Sequence, residues 1–113
     1  MIEAEVIDLL IRIGKMENPF SEDAVSLLAP LKKKDEINRL HWSEWDKVTE
    51  KMDVQDLVGL TKGLTVIEKH FHWSGGSVAG VIWVFRALER RDPETAEQVG
   101  SWVRAHTENP YAP

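Results

Sequence analysis

Cysteine is absent from the 113 residues of this chain. Disulfide bonds, thiolate metal sites and a cysteine nucleophile are therefore excluded. No apolar run approaches the roughly 20 residues that a membrane-crossing helix needs, so no membrane partner is expected. An excess of positive charge is lacking too. The formal net charge is -5, whereas nucleic acid or an anionic lipid surface rewards a basic face; no nucleic-acid partner is expected either. The one basic run, Lys32-Lys33-Lys34, is followed directly by Asp35-Glu36. It reads as a solvated helix end, where cations suit the helix dipole. The first residues, Met1-Ile2-Glu3-Ala4-Glu5, are acidic where a secretory leader would be basic, and a cytoplasmic location is the expectation. Strand patterns are missing as well, since no segment alternates apolar and polar residues for long.

What is present has helical spacing. Hydrophobic residues make up 42% and charged residues 29%, ordinary values for a globular protein. The length suits a single domain over 1–113, able to bury roughly two-thirds of its unfolded surface. Ile2, Val6, Leu9, Leu10 and Ile13 form one stripe, which predicts an amphipathic helix ending near Met16. Asn18-Pro19 stops it. Ser21 is placed to cap a second helix, with Glu22 and Asp23 in its first turn. Ala24, Val25, Leu28 and Leu31 face inward there, and Pro30 should shorten it. Ile37, Leu40, Trp45, Val48 and Met52 line either one helix or two short ones broken at Ser43. Asp53 then opens a helix whose Leu57, Leu60, Leu64, Ile67 and Phe71 fall in steps of three and four along one face.

After Ser74-Gly75-Gly76-Ser77 comes a segment from Val78 to about Arg91 that is apolar nearly all round, as befits a helix packed on several sides. Asp92-Pro93 signals a restart, with aspartate as cap and proline at the first helical position. The last helix turns Ala96, Val99, Trp102 and Val103 inward, Asn109-Pro110 ends it, and 108–113 forms a short extended tail. The expected fold is all-α: six or seven antiparallel helices as stacked helical hairpins, in a short superhelix or a compact bundle.

Two short motifs recur. His-Trp-Ser occurs at His41-Trp42-Ser43 and His72-Trp73-Ser74; Glu-Asn-Pro plus an aromatic occurs at Glu17–Phe20 and Glu108–Tyr111. Their separations are near one and three units of roughly 30 residues, the size of a helical-hairpin repeat. Both read as joints. In the first, the histidine closes one helix and the serine caps the next; in the second, the aromatic folds back on a helix end. Around Arg86-Ala87-Leu88-Glu89-Arg90-Arg91-Asp92-Pro93-Glu94 the chain resembles the junction between repeats of HEAT and armadillo-type helical solenoids. That resemblance implies a scaffold or binding role and carries no catalytic residues with it.

Candidate chemistry is sparse. His70 and His72 are two residues apart, about 200° around a helix, so they cannot share a metal on a regular helix. No metal site or cofactor is expected. Glycines ahead of a helix expose backbone N–H groups, so Ser74, Gly75, Gly76 and Ser77 could hold an anion or an oxyanion, with His70 or His72 as base. The phosphate-loop lysine and the Gly-x-Ser-x-Gly pattern are both missing. Gly76 and Gly80, four apart, more simply let another helix approach closely. Five tryptophans are the main excess. Trp83 is expected in the core. Trp42, Trp45, Trp73 and Trp102 sit at helix ends or flanks, and exposed tryptophan beside arginine or histidine is typical of binding hot spots. The reading is a noncatalytic interaction module or small adaptor that binds another protein or itself through Trp42, Trp45 and Trp73. The alternative is an enzyme or anion-binding protein built on the Ser74–Ser77 loop.

Overall fold

Six helices and no strand are found among the described residues of the computed structural model, which are 4–28, 37, 40–70 and 79–107. They are α1 (Ala4–Gly14), α2 (Glu22–Ser26), α3 (Trp42–Thr49), α4 (Val54–His70), α5 (Gly80–Arg91) and α6 (Pro93–His106). No helix among the described residues is long and apolar enough to cross a membrane.

Most boundaries follow from local chemistry anticipated above. Asn18 stops α1 with an Asx turn, its Oδ1 accepting from the Phe20 N–H at 3.2 Å. Ser21 Oγ accepts from the Ala24 N–H and so caps α2. Asp53 Oδ1 accepts from the Asp56 N–H at 2.7 Å at the start of α4. Asp92 caps α6 twice over: its carboxylate accepts from the Thr95 N–H and from the Thr95 hydroxyl. These bonds, the backbone one first, hold the Asp92 carboxyl below the usual carboxylate range.

One joint differs from its expected form. Ser43 does not cap α3; His41 does, with its Nδ1 accepting from the Ser43 N–H at 3.2 Å. The imidazole thus serves the following helix as an acceptor, which places its proton on Nε2. Ser43 lies within the first turn, its hydroxyl 2.8 Å from the same Nδ1. The second His-Trp-Ser copy and the second Glu-Asn-Pro copy lie outside the described residues, as do Lys32–Lys34, Pro30, Leu31 and the 108–113 tail.

The central element is α4, and it is buried far beyond its leucine seam. Every residue from Gly59 to Glu68 except Lys62 is buried. Two devices permit this. Thr61 and Thr65 turn their hydroxyls back onto the carbonyls of Leu57 and Thr61, at 2.8 and 2.9 Å, so neither enters the core with an unmet donor. Gly59 and Gly63 remove side chains where α1 crosses. A Cβ on Gly63 would collide with the Leu10 carbonyl, and one on Gly14 with the Gly59 carbonyl. The two backbones are therefore almost in contact. Lys15 bonds Asp56 at 2.7 Å across the open end of this pair, an exposed bridge of small energetic weight.

Gly14 meets Gly59 while Leu10 meets Gly63, so α1 and α4 are antiparallel. The α5–α6 hairpin, turned at Asp92-Pro93, places Gly100 beside Phe85. Alternate helices consequently share a direction: Lys62 lies over Trp102 and Glu68 accepts from Thr107, so α4 and α6 run the same way. One apolar cluster draws on all six helices, from Ile7, Leu10 and Ile13 through Trp45 and Leu64 to Val103. The radius of gyration is 12.4 Å, with extents of 32 × 28 × 25 Å. A packed domain of this length should measure about 13 Å, so the helices close into a bundle and do not string out as an open superhelix.

Candidate functional site

Two helices frame a surface concavity among the described residues, and the route to it starts at Trp45. This residue is fully buried, its indole resting against Gly80 at the start of α5. A Cβ on Gly80 would stand 2.5 Å from the indole Cζ2, so glycine is required for this approach. The neighbour that the glycine admits is a ring and not a helix backbone; Gly76 lies outside the described residues. With Trp45 as the wedge, α3 lies along α5 in the same direction, and their outer edges leave a cleft of about 520 Å³. Asp46, Lys47, Thr49 and Glu50 line one side, and Ala87, Arg90 and Arg91 the other.

One charged group of this cleft, Arg91, has a clear structural role. The Arg91 guanidinium donates to the carbonyls of Thr49 (3.1 Å), Glu50 (2.6 Å) and Met52. These are carbonyls at and just beyond the end of α3, where helical bonding runs out; the Thr49 carbonyl also accepts from the Met52 N–H at 3.1 Å. Arg91 thereby ties the last turn of α5 to the end of α3. Arg91→Ala should cost about 1–2 kcal/mol in urea unfolding. Arg91→Lys should recover less than half, since an ammonium cannot present the planar fork. Arg90 and Asp46 approach at 3.7 Å with both side chains half open to solvent, a weak pairing. No nucleophile, base and oxyanion donors converge here, and no group of three metal-ligating side chains occurs among the described residues.

Aromatic groups border the cleft. Trp42 is one turn before Asp46 on α3, and at 49% exposure it is the exposed large hydrophobic residue of the described set. The His41 ring tilts against it at 5.1 Å. On α5, Trp83 stands one turn before Ala87. It is only half-buried, with the Arg86 guanidinium 4.9 Å over its face. Residues four apart share a helix face, so both tryptophans continue the two walls toward the N-terminal ends of α3 and α5.

The tryptophans expected to form a binding surface thus separate. Trp42 is at the surface. Trp45 is a correction: it is fully buried, its ring packed against Gly80, and offers no surface to a partner. Trp73 lies outside the described residues, together with Ser74, Gly75, Gly76, Ser77 and His72. Trp83, expected in the core, instead has an outer edge. It was hidden in the sequence by the apolar residues on both sides of it.

A second aromatic group joins the loop after α1 to α6. Phe20 stacks on Trp102 (5.7 Å) and on His106 (5.0 Å), and the His106 Nδ1 is 2.7 Å from the Trp102 carbonyl. Lys62 and Lys69 of α4 lie over Trp102 and Phe20. The aromatic after Asn18-Pro19 therefore closes onto the end of α6 and not onto its own preceding helix. These rings weld the loop after α1 to the last helix. Compared with family models, curated proteins and solved structures, the chain matches none.

Proposed function

We propose that this protein is a noncatalytic protein–protein interaction module, a small adaptor acting in the cytoplasm, whose contact surface is the α3–α5 cleft with Trp42 at its edge. The observation that carries the reading is the half-exposed Trp42 beside a concavity in which Arg91 is committed to capping backbone carbonyls. A large aromatic ring in water next to a groove is the composition of an interface anchor. Trp83 with Arg86, one turn along the opposite wall, has the same composition. The likeness of residues 86–94 to solenoid-repeat junctions is compatible with such a role.

Trp42→Ala should leave the fold and its unfolding midpoint nearly unchanged, because the removed ring is largely solvated. It should weaken association by about tenfold or more. Sedimentation equilibrium on wild type and variant reads self-association, and quantitative pull-down with both proteins as bait reads a heterologous partner. A variant that matches wild type in both measurements defeats the reading.

A further inference from the structure

The two walls of the α3–α5 cleft are charged oppositely. The α5 wall presents Arg90 and Arg91 and no carboxylate; the α3 wall presents Asp46 and Glu50 against Lys47 alone. Arg91 gives its donors to the carbonyls at the end of α3 but keeps its charge. Arg90 and Asp46 stand 3.7 Å apart with 64% and 52% of their side-chain surfaces exposed, so each can serve a further partner. A ligand of one uniform charge would be repelled by one wall or the other. The surface calls for an occupant that carries both signs in two parallel rows, and this chain itself carries such rows.

We propose that the occupant is a second copy of this chain, held in a twofold dimer in which α3 of each copy lies against α5 of the other; the proposal rests on the cleft being the contact surface. An isologous contact requires a surface that complements itself. Rotation about an axis along the cleft turns one cleft onto the other, keeps the helix direction and exchanges the walls. The charged ends of Asp46 and Arg90 are level within one chain. Asp46 therefore comes opposite Arg90 of the second copy, and Arg90 opposite its Asp46. Trp42, one turn before Asp46, comes opposite Arg86, one turn before Arg90, whose guanidinium already lies over the Trp83 ring. An axis across the helices would instead set acidic wall on acidic wall. With 8 and 12 residues, α3 and α5 are about 12 and 18 Å long. A contact of that length is at the small end of specific interfaces, and the dimer is reversible.

Sedimentation equilibrium of the full chain, over a concentration series up to about 1 mM, reads the dimer. Arg90→Glu and Asp46→Arg should each weaken it by about tenfold or more, since the twofold axis turns one reversal into two like-charge contacts. An equimolar mixture of the two variants should recover wild-type association, because each supplies the charge the other lacks. The unfavourable pair inside each variant persists in the mixture, so recovery can arise only across the interface. Both side chains are largely exposed, and circular dichroism checks that both variants fold. A wild-type chain that stays monomeric, variants that associate as wild type does, or a mixture no better than its parts overturns the dimer. If the chain is monomeric and Trp42→Ala still removes a heterologous partner in the pull-down, the dimer alone is overturned. The cleft fails as a contact surface only when Trp42→Ala matches wild type in both measurements.

Discussion

Gly63→Ala is expected to destabilise the protein by about 2 kcal/mol or more, the reverse of what the same change does in an ordinary helix. Within an exposed helix, replacing glycine by alanine gains about 1 kcal/mol, because glycine has more backbone freedom to lose. At Gly63 the added methyl would be driven into the Leu10 carbonyl of α1. The obstacle is backbone, so no rotamer change relieves it; α1 must move away and its contacts with α4 must loosen. Overpacking of this kind costs about 1–3 kcal/mol, occasionally more, on top of the propensity gain it must cancel. Gly14→Ala, facing the Gly59 carbonyl, should behave alike. Gly100→Ala is the control. Its Cβ would meet only the Phe85 ring at 3.1 Å and the end of the Arg104 side chain at 3.4 Å, groups that can shift, so the change should be close to neutral. Urea denaturation of the three variants against wild type measures the contrast. A Gly63→Ala protein as stable as wild type would mean the α1–α4 contact is not as close as described.

Trp45→Ala should be the most damaging single truncation, costing about 3–5 kcal/mol. The indole fills the space between α3 and α5 with no exposure, and Gly80 has given up its side chain to receive it. Removing the ring leaves a cavity lined on one side by glycine, which has nothing to collapse inward. For a domain with a stability of about 5–15 kcal/mol, a loss on that scale consumes a third of it or more. Trp42→Ala, three residues earlier, should change stability by less than about 0.5 kcal/mol. Thermal melts of the pair read the difference directly. Similar losses from both would contradict the assignment of one ring to the core and the other to the surface.

Much of the fold was legible in the residues, for identifiable reasons. Ser21, Asp53 and Asp92-Pro93 are starts whose chemistry is local: a side-chain oxygen reaches an N–H three residues on, whatever the rest of the molecule does. Leucine and isoleucine stripes at helical spacing placed α1 and α4 for the same reason. Ser43 is not the cap of α3 because His41, whose imidazole can act as donor or acceptor, takes that place, and only the backbone geometry at Trp42-Ser43 makes it the acceptor. The candidate site was half legible. An excess of tryptophan marks surface anchors and core plugs alike, and the side of α3 on which each ring falls separates Trp42 from Trp45. The Arg91 cap was not foreseeable, since it joins carbonyls about forty positions away in sequence.

The sequence by itself determined that the chain is all-α, where most helices begin, and that no thiol chemistry is available to it. Those properties depend on residue type and on spacing within one or two turns. Tertiary structure decided that α4 is the hub, that α1 lies backbone to backbone on it, and that one tryptophan meets solvent while its neighbour fills the core. The physical reason is that small residues and ring faces have no fixed preference of their own. Gly59, Gly63, Thr61 and Thr65 look unremarkable on a helical wheel. Only when a partner helix arrives does the missing side chain become a contact and the hydroxyl turned back on its own helix become a licence for burial.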